Sequence, residues 1–366
     1  MNTTAPSNAA SAPALTGLLP EDLAEEFAAW GEPRYRVPQV LDWVFQKRAG
    51  SYADMTSLSK SLRARLTETH PLHTMKIAQV QGSRDTTQKF LFRLHDGRYV
   101  ESVLIPANRS ALGDMSDRRT ICVSSQVGCA YDCKFCASGL AGFTRNLRAD
   151  EIVEQILQVE AHSGQRIDNV VFMGMGEPLA NFTNLARAIR ILQAEWGAGI
   201  GARHITVSTS GLAPQIKKLA DFPLPVRLAI SFHGATDEVR EHIMPVNRKY
   251  PLDVLMDALD YFRRKKKQKI TLEYILIAGV NDRAEDAVAL VRRARSIEAK
   301  VNLIPYNTVE GLPWERPTEP AQDAFLAVLE RGGVPATIRR EKGHDIDAAC
   351  GQLRLKQEQA EAAAAS

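Results

Sequence analysis

Three of the five cysteines crowd onto one short run, Gly128-Cys129-Ala130-Tyr131-Asp132-Cys133-Lys134-Phe135-Cys136, with C-x3-C-x2-C spacing. Three thiolates on one loop can grip three corners of a cubane 4Fe–4S cluster and leave the fourth iron without a protein ligand. A structural zinc ion is the competing use of such thiols. Zinc wants four closed ligands, and no fourth Cys or His follows closely; the next histidine, His162, falls inside a helical pattern. An odd cysteine count with three so close together makes a poor disulfide framework.

Downstream polar residues could complete such a site. Gly174-Met175-Gly176-Glu177-Pro178 combines glycines, which let backbone approach a ligand, with a carboxylate suited to an ammonium or sulfonium. A plain strand-to-helix turn would read the same way. Ser208, Ser231, His233 and Asn307 sit at or just past the ends of strand-like segments, where they serve as ligand contacts or as ordinary caps and satisfied core groups. Two thiols remain, Cys122 and Cys350. Small buried hydrophobes are the commoner fate of such residues. Glu101, in Tyr99-Val100-Glu101-Ser102-Val103, reads by itself as a surface carboxylate on a strand.

The elements that must position these residues alternate from about residue 119 onward. Strand patterns at Thr120–Ser124, Asn169–Met173, His204–Ser208, Arg227–Ser231, Lys269–Ile277, Lys300–Pro305 and Ala336–Arg339 are interleaved with helical ones at Asp150–Ala161, Leu185–Trp196, Leu252–Arg264 and Asp286–Ile297. Such alternation predicts a parallel sheet with right-handed crossovers, closed or partly closed into a barrel. In barrels of this kind the chemistry lies at the C-terminal strand ends, where the distinctive polar residues fall. Before it, residues 17 to about 70 carry helical periodicity, beginning at Pro20-Glu21-Asp22. Two alternating runs, 89–94 and 98–103, flank Asp96-Gly97 and predict a β-hairpin.

The chain has 366 residues, 45% apolar and 24% charged, with a formal net charge of +3. This composition fits an ordinary globular protein. No apolar run reaches membrane-spanning length and Met1–Pro13 is no convincing secretory signal, so the expected location is the cytoplasm. The net charge is too small to argue for nucleic acid. Basic clusters at Arg118-Arg119, Arg263–Lys269, Arg292–Arg295 and Arg339–Lys342 could grip phosphate or merely solvate helix faces. The expected organisation is a disordered tail at 1–16, a helical region with a hairpin at 17–112 that is a candidate RNA-binding part, a barrel at 113–353 and a C-terminal tail at 354–366.

With Phe135 as its aromatic, the cysteine run resembles the signature of radical S-adenosylmethionine (SAM) enzymes. The cluster, Gly174–Pro178, His204–Gly211, Asn302–Asn307 and Gly343–Leu353 together resemble the RlmN/Cfr family of rRNA adenine methyltransferases. That resemblance implies an α/β fold: a radical SAM (β/α)6 partial TIM barrel with a small N-terminal helical domain and a short β-hairpin extension. It implies a 4Fe–4S cluster on Cys129, Cys133 and Cys136, and SAM held by Gly176, Glu177, Ser208, Ser231, His233 and Asn307. It also gives both spare thiols work. Adenine C2 is electron-poor and cannot attack a methyl sulfonium, whereas a thiolate can. Cys350 is expected to carry the methyl group as S-methylcysteine, with a second SAM cleaved at the cluster to activate it. Glu101 is expected to accept the ring proton, and Cys122 to release the base by forming a transient disulfide with Cys350.

The implied substrates are an adenosine of the 23S rRNA peptidyl-transferase centre and adenosine 37 of certain tRNAs. The other implied partner is an electron donor of the flavodoxin kind, and the chain itself is taken as a monomer without membrane attachment. Methylation at C8 of the same rRNA adenosine, a non-catalytic iron–sulfur RNA-binding protein and another radical SAM reaction stand as alternatives.

Overall fold

The computed structural model describes residues 13–83, 86–106, 118–140, 142–307, 311–339 and 352–365. Three short helices open the chain: α1 (Pro20–Trp30), α2 (Arg36–Phe45) and α3 (Lys60–Thr69). Pro20 begins α1, with Glu21 and Asp22 in its first turn, where acids answer the positive end of the helix dipole. Leu23, Phe27, Val40, Leu41, Phe45, Leu62 and Leu66 turn inward and merge with the core of the following domain. Within the expected disordered tail at 1–16, residues 14–16 are packed into the fold. Ala14 and Leu15 are fully buried, and the Ala14 N–H donates to Asp150 Oδ2 at 2.8 Å. The Ala- and Ser-rich start masks the apolar group Leu15, Leu18 and Leu19, which reaches the core.

A ten-stranded sheet follows. Its first three strands, β1 (Met75–Gly82), β2 (Gln88–Leu94) and β3 (Tyr99–Ile105), are antiparallel. The Asp96-Gly97 hairpin is present, with Gly97 at φ +80°; β1, where apolar alternation is weaker, has no counterpart among the expected strands. Next come β4 (Thr120–Cys122), the small hairpin β5 (Gln126–Gly128) and β6 (Phe143–Asn146), with α4 (Ala137–Leu140) between its strands, and then α5 (Ala149–Ser163). Strand–helix units continue as β7 (Asn169–Phe172), α6 (Phe182–Gln193), β8 (Ile205–Thr209), α7 (Ala213–Asp221), β9 (Arg227–Ser231), α8 (Asp237–Ile243) and α9 (Leu252–Lys266). The chain closes with β10 (Thr271–Leu276), α10 (Ala284–Ser296), β11 (Lys300–Pro305), α11 (Glu319–Arg331), β12 (Ala336–Ile338) and α12 (Gln352–Ala365).

The spatial order is β1-β2-β3-β4-β7-β8-β9-β10-β11-β12. Every pairing from β4 to β12 is parallel, so these strands form the partial barrel. β3 joins β4 antiparallel, Val103 opposite Cys122. The hairpin extension is therefore a continuation of the barrel wall.

At the other end of the chain, the expected tail at 354–366 is helical through Ala365. Its Ala, Glu and Gln composition looks low in complexity but favours helix. The helix is anchored by Leu353, which is buried with Leu91 and Tyr99. No helix among the described residues is long and apolar enough to cross a membrane.

Candidate functional site

The strand ends of the barrel surround a cavity of about 360 Å³. Cys122, Cys129, Cys133, Cys136, Gly176, Glu177, Ser208, Ser231, His233 and Asn307 all line it. Residues separated by up to 185 positions in the chain thus meet at one opening, as expected of C-terminal strand ends.

The cysteine loop is pinned on two sides. The Cys129 N–H donates to Gly142 O at 3.0 Å in the β5–β6 hairpin, and the Lys134 N–H to Ile243 O at 2.9 Å at the end of α8. Phe135 sets its ring edge-to-face on His233, centroids 4.8 Å apart. The aromatic of the cysteine motif therefore locks the loop to the end of β9. Burial, the main cause, pushes the Cys129 thiol up to about 12 and Cys133 well above its usual range. Any metal must displace those protons to bind. Among the described residues, no group of three or more His, Cys, Asp or Glu is placed to hold a single metal ion. Three thiols on one loop can each take one corner of a cube and leave the fourth without a protein ligand.

The Gly174–Pro178 turn is stitched to the strand before the cysteines. The Glu177 N–H donates to Gln126 Oε1 at 2.8 Å and the Ser125 N–H to Met175 O at 2.9 Å. Gly176, at φ +97°, passes so close to Gln126 that a Cβ would stand 2.5 Å from its side chain, so any larger residue would push this turn away. Glu177 is buried, its carboxyl pushed up by desolvation and held down in part by its hydrogen bonds. Oε2 accepts from the Ser210 N–H at 2.7 Å and from Ser210 Oγ at 2.9 Å, and Oε1 from the Leu179 N–H at 2.9 Å.

His233 occupies the left-handed region at φ +56°. Its Nδ1 accepts the Ile275 N–H at 3.0 Å. Burial, with Arg240 as the lesser cause, depresses its pKa to about 3. The ring is therefore neutral at physiological pH, and the bond at Nδ1 assigns the proton to Nε2 as a donor. The polar lining extends further than the sequence patterns indicated. Thr209, Ser210, Glu273 and Arg339 also face the cavity. Glu273 was the most legible of these, as a lone acid in the apolar strand Thr271–Leu276. It is buried, takes the Asn302 Nδ2–H at 2.7 Å, and its carboxyl is pushed up by desolvation.

Glu101 is no surface carboxylate. It is buried and does not line the cavity. Its Oε2 lies 2.8 Å from Nζ of Lys89, itself fully buried, and Oε1 accepts the Arg354 N–H at 2.6 Å. Nothing in the sequence pattern paired these three. Cys122 is buried on β4, beside β3. Cys350 lies outside the described residues.

The basic run at Arg263–Lys267 ends α9, just before β10 begins, and so lies at the end of the barrel opposite the cavity. Three of its charges have local ion partners. Arg263 pairs with Glu298 at 2.9 Å, Arg264 with Asp260 at 3.1 Å and Lys265 with Asp221 at 3.1 Å.

Comparison with known proteins agrees with this geometry. Residues 123–291 match the Radical SAM superfamily, and residues 14–71 match the ribosomal RNA large subunit methyltransferase N-terminal domain. The chain is 54% identical, over 95% of its length and 97% of the relative's, to the "Probable dual-specificity RNA methyltransferase RlmN" of Akkermansia muciniphila. It is 45% identical to the dual-specificity RNA methyltransferase RlmN of Geobacter sulfurreducens, over 93% and 92% of the two chains. Among solved structures, a radical SAM methyltransferase from Sphaerobacter thermophilus superposes with TM-score 0.87 at 42% identity, over 93% of this chain and 98% of that one.

Proposed function

The chain belongs to the RlmN family of radical SAM RNA methyltransferases, and from that premise we propose that it methylates C2 of an adenine in 23S rRNA and of adenosine 37 in certain tRNAs, with Cys350 as the methyl carrier. The observation that carries this reading is the convergence of Cys129, Cys133, Cys136, Cys122 and Glu177 on one cavity. Bound there, a 4Fe–4S cluster and SAM supply a carbon-centred radical by one-electron cleavage of the sulfonium C–S bond.

The protein's own groups do the rest. Glu177 and the rim residues Ser208, Ser231, His233 and Asn307 orient SAM; the Nε2–H of His233 is a donor that cannot ionise near neutral pH. Cys350 accepts a methyl group as a thiolate and later delivers its carbon to the base, which leaves a protein–RNA thioether. Glu101 takes the ring proton, a role that requires the Arg354 N–H to give up Oε1. Cys122 attacks the sulfur of Cys350, frees the methylated base and forms a disulfide that an external reductant reopens. Arg354 is tied to Glu101, and Glu101 lies on the strand beside Cys122. The N-terminal helical region, where the rRNA methyltransferase domain matches, is the proposed RNA grip, and a flavodoxin-like protein the proposed electron donor.

Anaerobic reconstitution with iron, sulfide and SAM, followed by nucleoside mass spectrometry of an rRNA fragment, tests the reading. The expected product is 2-methyladenosine; 8-methyladenosine would move the chain to the other regiochemistry. Cys350→Ala should abolish transfer with the iron content intact, and Cys122→Ala should accumulate a protein–RNA crosslink. Methylation that survives Cys350→Ala, or zinc in place of iron, sinks the proposal.

A further inference from the structure

Arg240 is buried to 0% exposure in α8, the helix whose last residue, Ile243, accepts the Lys134 N–H of the cysteine loop. Its guanidinium is spread over neutral acceptors: Nε donates to Phe232 O at 3.1 Å, Nη1 to Asn247 Oδ1 at 2.9 Å and Nη2 to Ser210 O at 2.5 Å. Among the described residues no carboxylate lies within ion-pair distance. Asp237, one turn earlier, gives its Oδ1 to Asn247 Nδ2–H and to the Leu252 N–H, both at 2.8 Å. Space for the guanidinium is built in, because a Cβ on Gly211, at φ +111°, would come within 2.9 Å of Nη2.

A buried cation without a carboxylate is costly unless some other negative charge answers it. Arginine stays charged at neutral pH, and among its charged neighbours Cys133 acts on Arg240 most strongly, ahead of Asp237. The hydrogen bond from Lys134 to Ile243 holds the loop against the same helix.

We propose that Arg240 is the counter-charge of the thiolate loop, a positioning residue that offsets the negative charge Cys129, Cys133 and Cys136 acquire on binding an iron–sulfur cluster and thereby raises the reduction potential of that cluster. A nearby buried cation favours the more negative, reduced form. The same guanidinium fixes the carbonyl of Ser210, whose N–H and Oγ hold Glu177, so it links the cluster loop to the turn proposed to bind SAM.

The inference rests on the iron–sulfur reading of the loop. An iron-free wild type would sink that reading, whereas the variants below test only Arg240. Full-length wild type, Arg240→Lys and Arg240→Gln are reconstituted anaerobically, assayed for iron and sulfide, and titrated electrochemically with detection by electron paramagnetic resonance. Arg240→Gln should show a more negative midpoint potential, or fail to hold the cluster; Arg240→Lys, which keeps the charge, should load iron and stay near the wild-type potential. An iron-replete Arg240→Gln protein at the wild-type potential overturns the proposal. So does Arg240→Lys failing to load, or shifting as far as Arg240→Gln, since charge would then not be the property that matters.

Discussion

The barrel mouth and the wall formed by β2, β3 and α12 use buried polar groups in opposite ways. At the mouth, thiols, hydroxyls and a neutral imidazole line one cavity. His233 is held there at Nδ1 and left to donate at Nε2. In the wall, Lys89 and Glu101 face one another, and the second oxygen of Glu101 is taken by the start of α12. A mouth built this way is prepared for a visitor, while the wall is stapled to its own C-terminus. Glu101, which by itself read as a surface carboxylate, is instead held in the wall at both oxygens.

The largest expected effect breaks the wall. Lys89→Met leaves Glu101 buried beside an apolar side chain, and losing one partner of a buried pair costs about 3–5 kcal/mol. Urea unfolding should show this. Lys89→Met/Glu101→Gln, which removes both charges and retains an acceptor for the Arg354 N–H, should recover most of the loss. A single variant as stable as wild type would mean that the pair contributes nothing.

A smaller effect sharpens the account of the mouth. His233 binds its proton in the fold only near pH 3, against 6.5 for an ordinary imidazole. Between these values the unfolded chain binds more protons, so stability rises with pH. The contribution is complete above pH 6.5 and is lost as pH falls toward 3, by about 1.4 kcal/mol per unit. Glu177 and Glu273, pushed up by burial, act in the opposite sense. The measurement is therefore the difference between wild type and His233→Asn, a substitution that tolerates φ +56°. The melting temperature of wild type should fall more steeply from pH 7 to pH 5 than that of the variant; parallel curves would refute a neutral His233.

The smallest effect belongs to neither region. Reversing Arg263, Arg264 and Lys265 to Glu should leave RNA affinity and its salt dependence unchanged in filter binding, because these charges lie away from the mouth and are paired locally. A clear loss of affinity would place RNA on the far end of the barrel.

Much of this molecule is legible in local sequence. Arg227–Ser231 and Lys300–Pro305 are strands with the same bounds that their apolar patterns predict. The helix patterns at Asp150–Ala161 and Leu252–Arg264 lie inside α5 and α9, because apolar periodicity and caps are properties of neighbouring residues. The cysteine motif and the Gly-rich turn are legible for the same reason. β1 and α7 escaped because short or weakly alternating segments take their conformation from partners. α12 escaped because one residue, Leu353, docks an otherwise featureless helix.

By itself, then, the sequence determined which groups could carry chemistry and that strand ends would gather them, since spacing and periodicity are written in adjacent residues. Only the tertiary structure decided what each group faces. It paired Lys89 with Glu101 across two strands, set the Arg240 guanidinium among neutral acceptors, and turned His233 into a donor that stays neutral. These outcomes depend on burial and on contacts between distant segments. The energy of a charge or a proton is set by its surroundings in space, which no run of consecutive residues specifies.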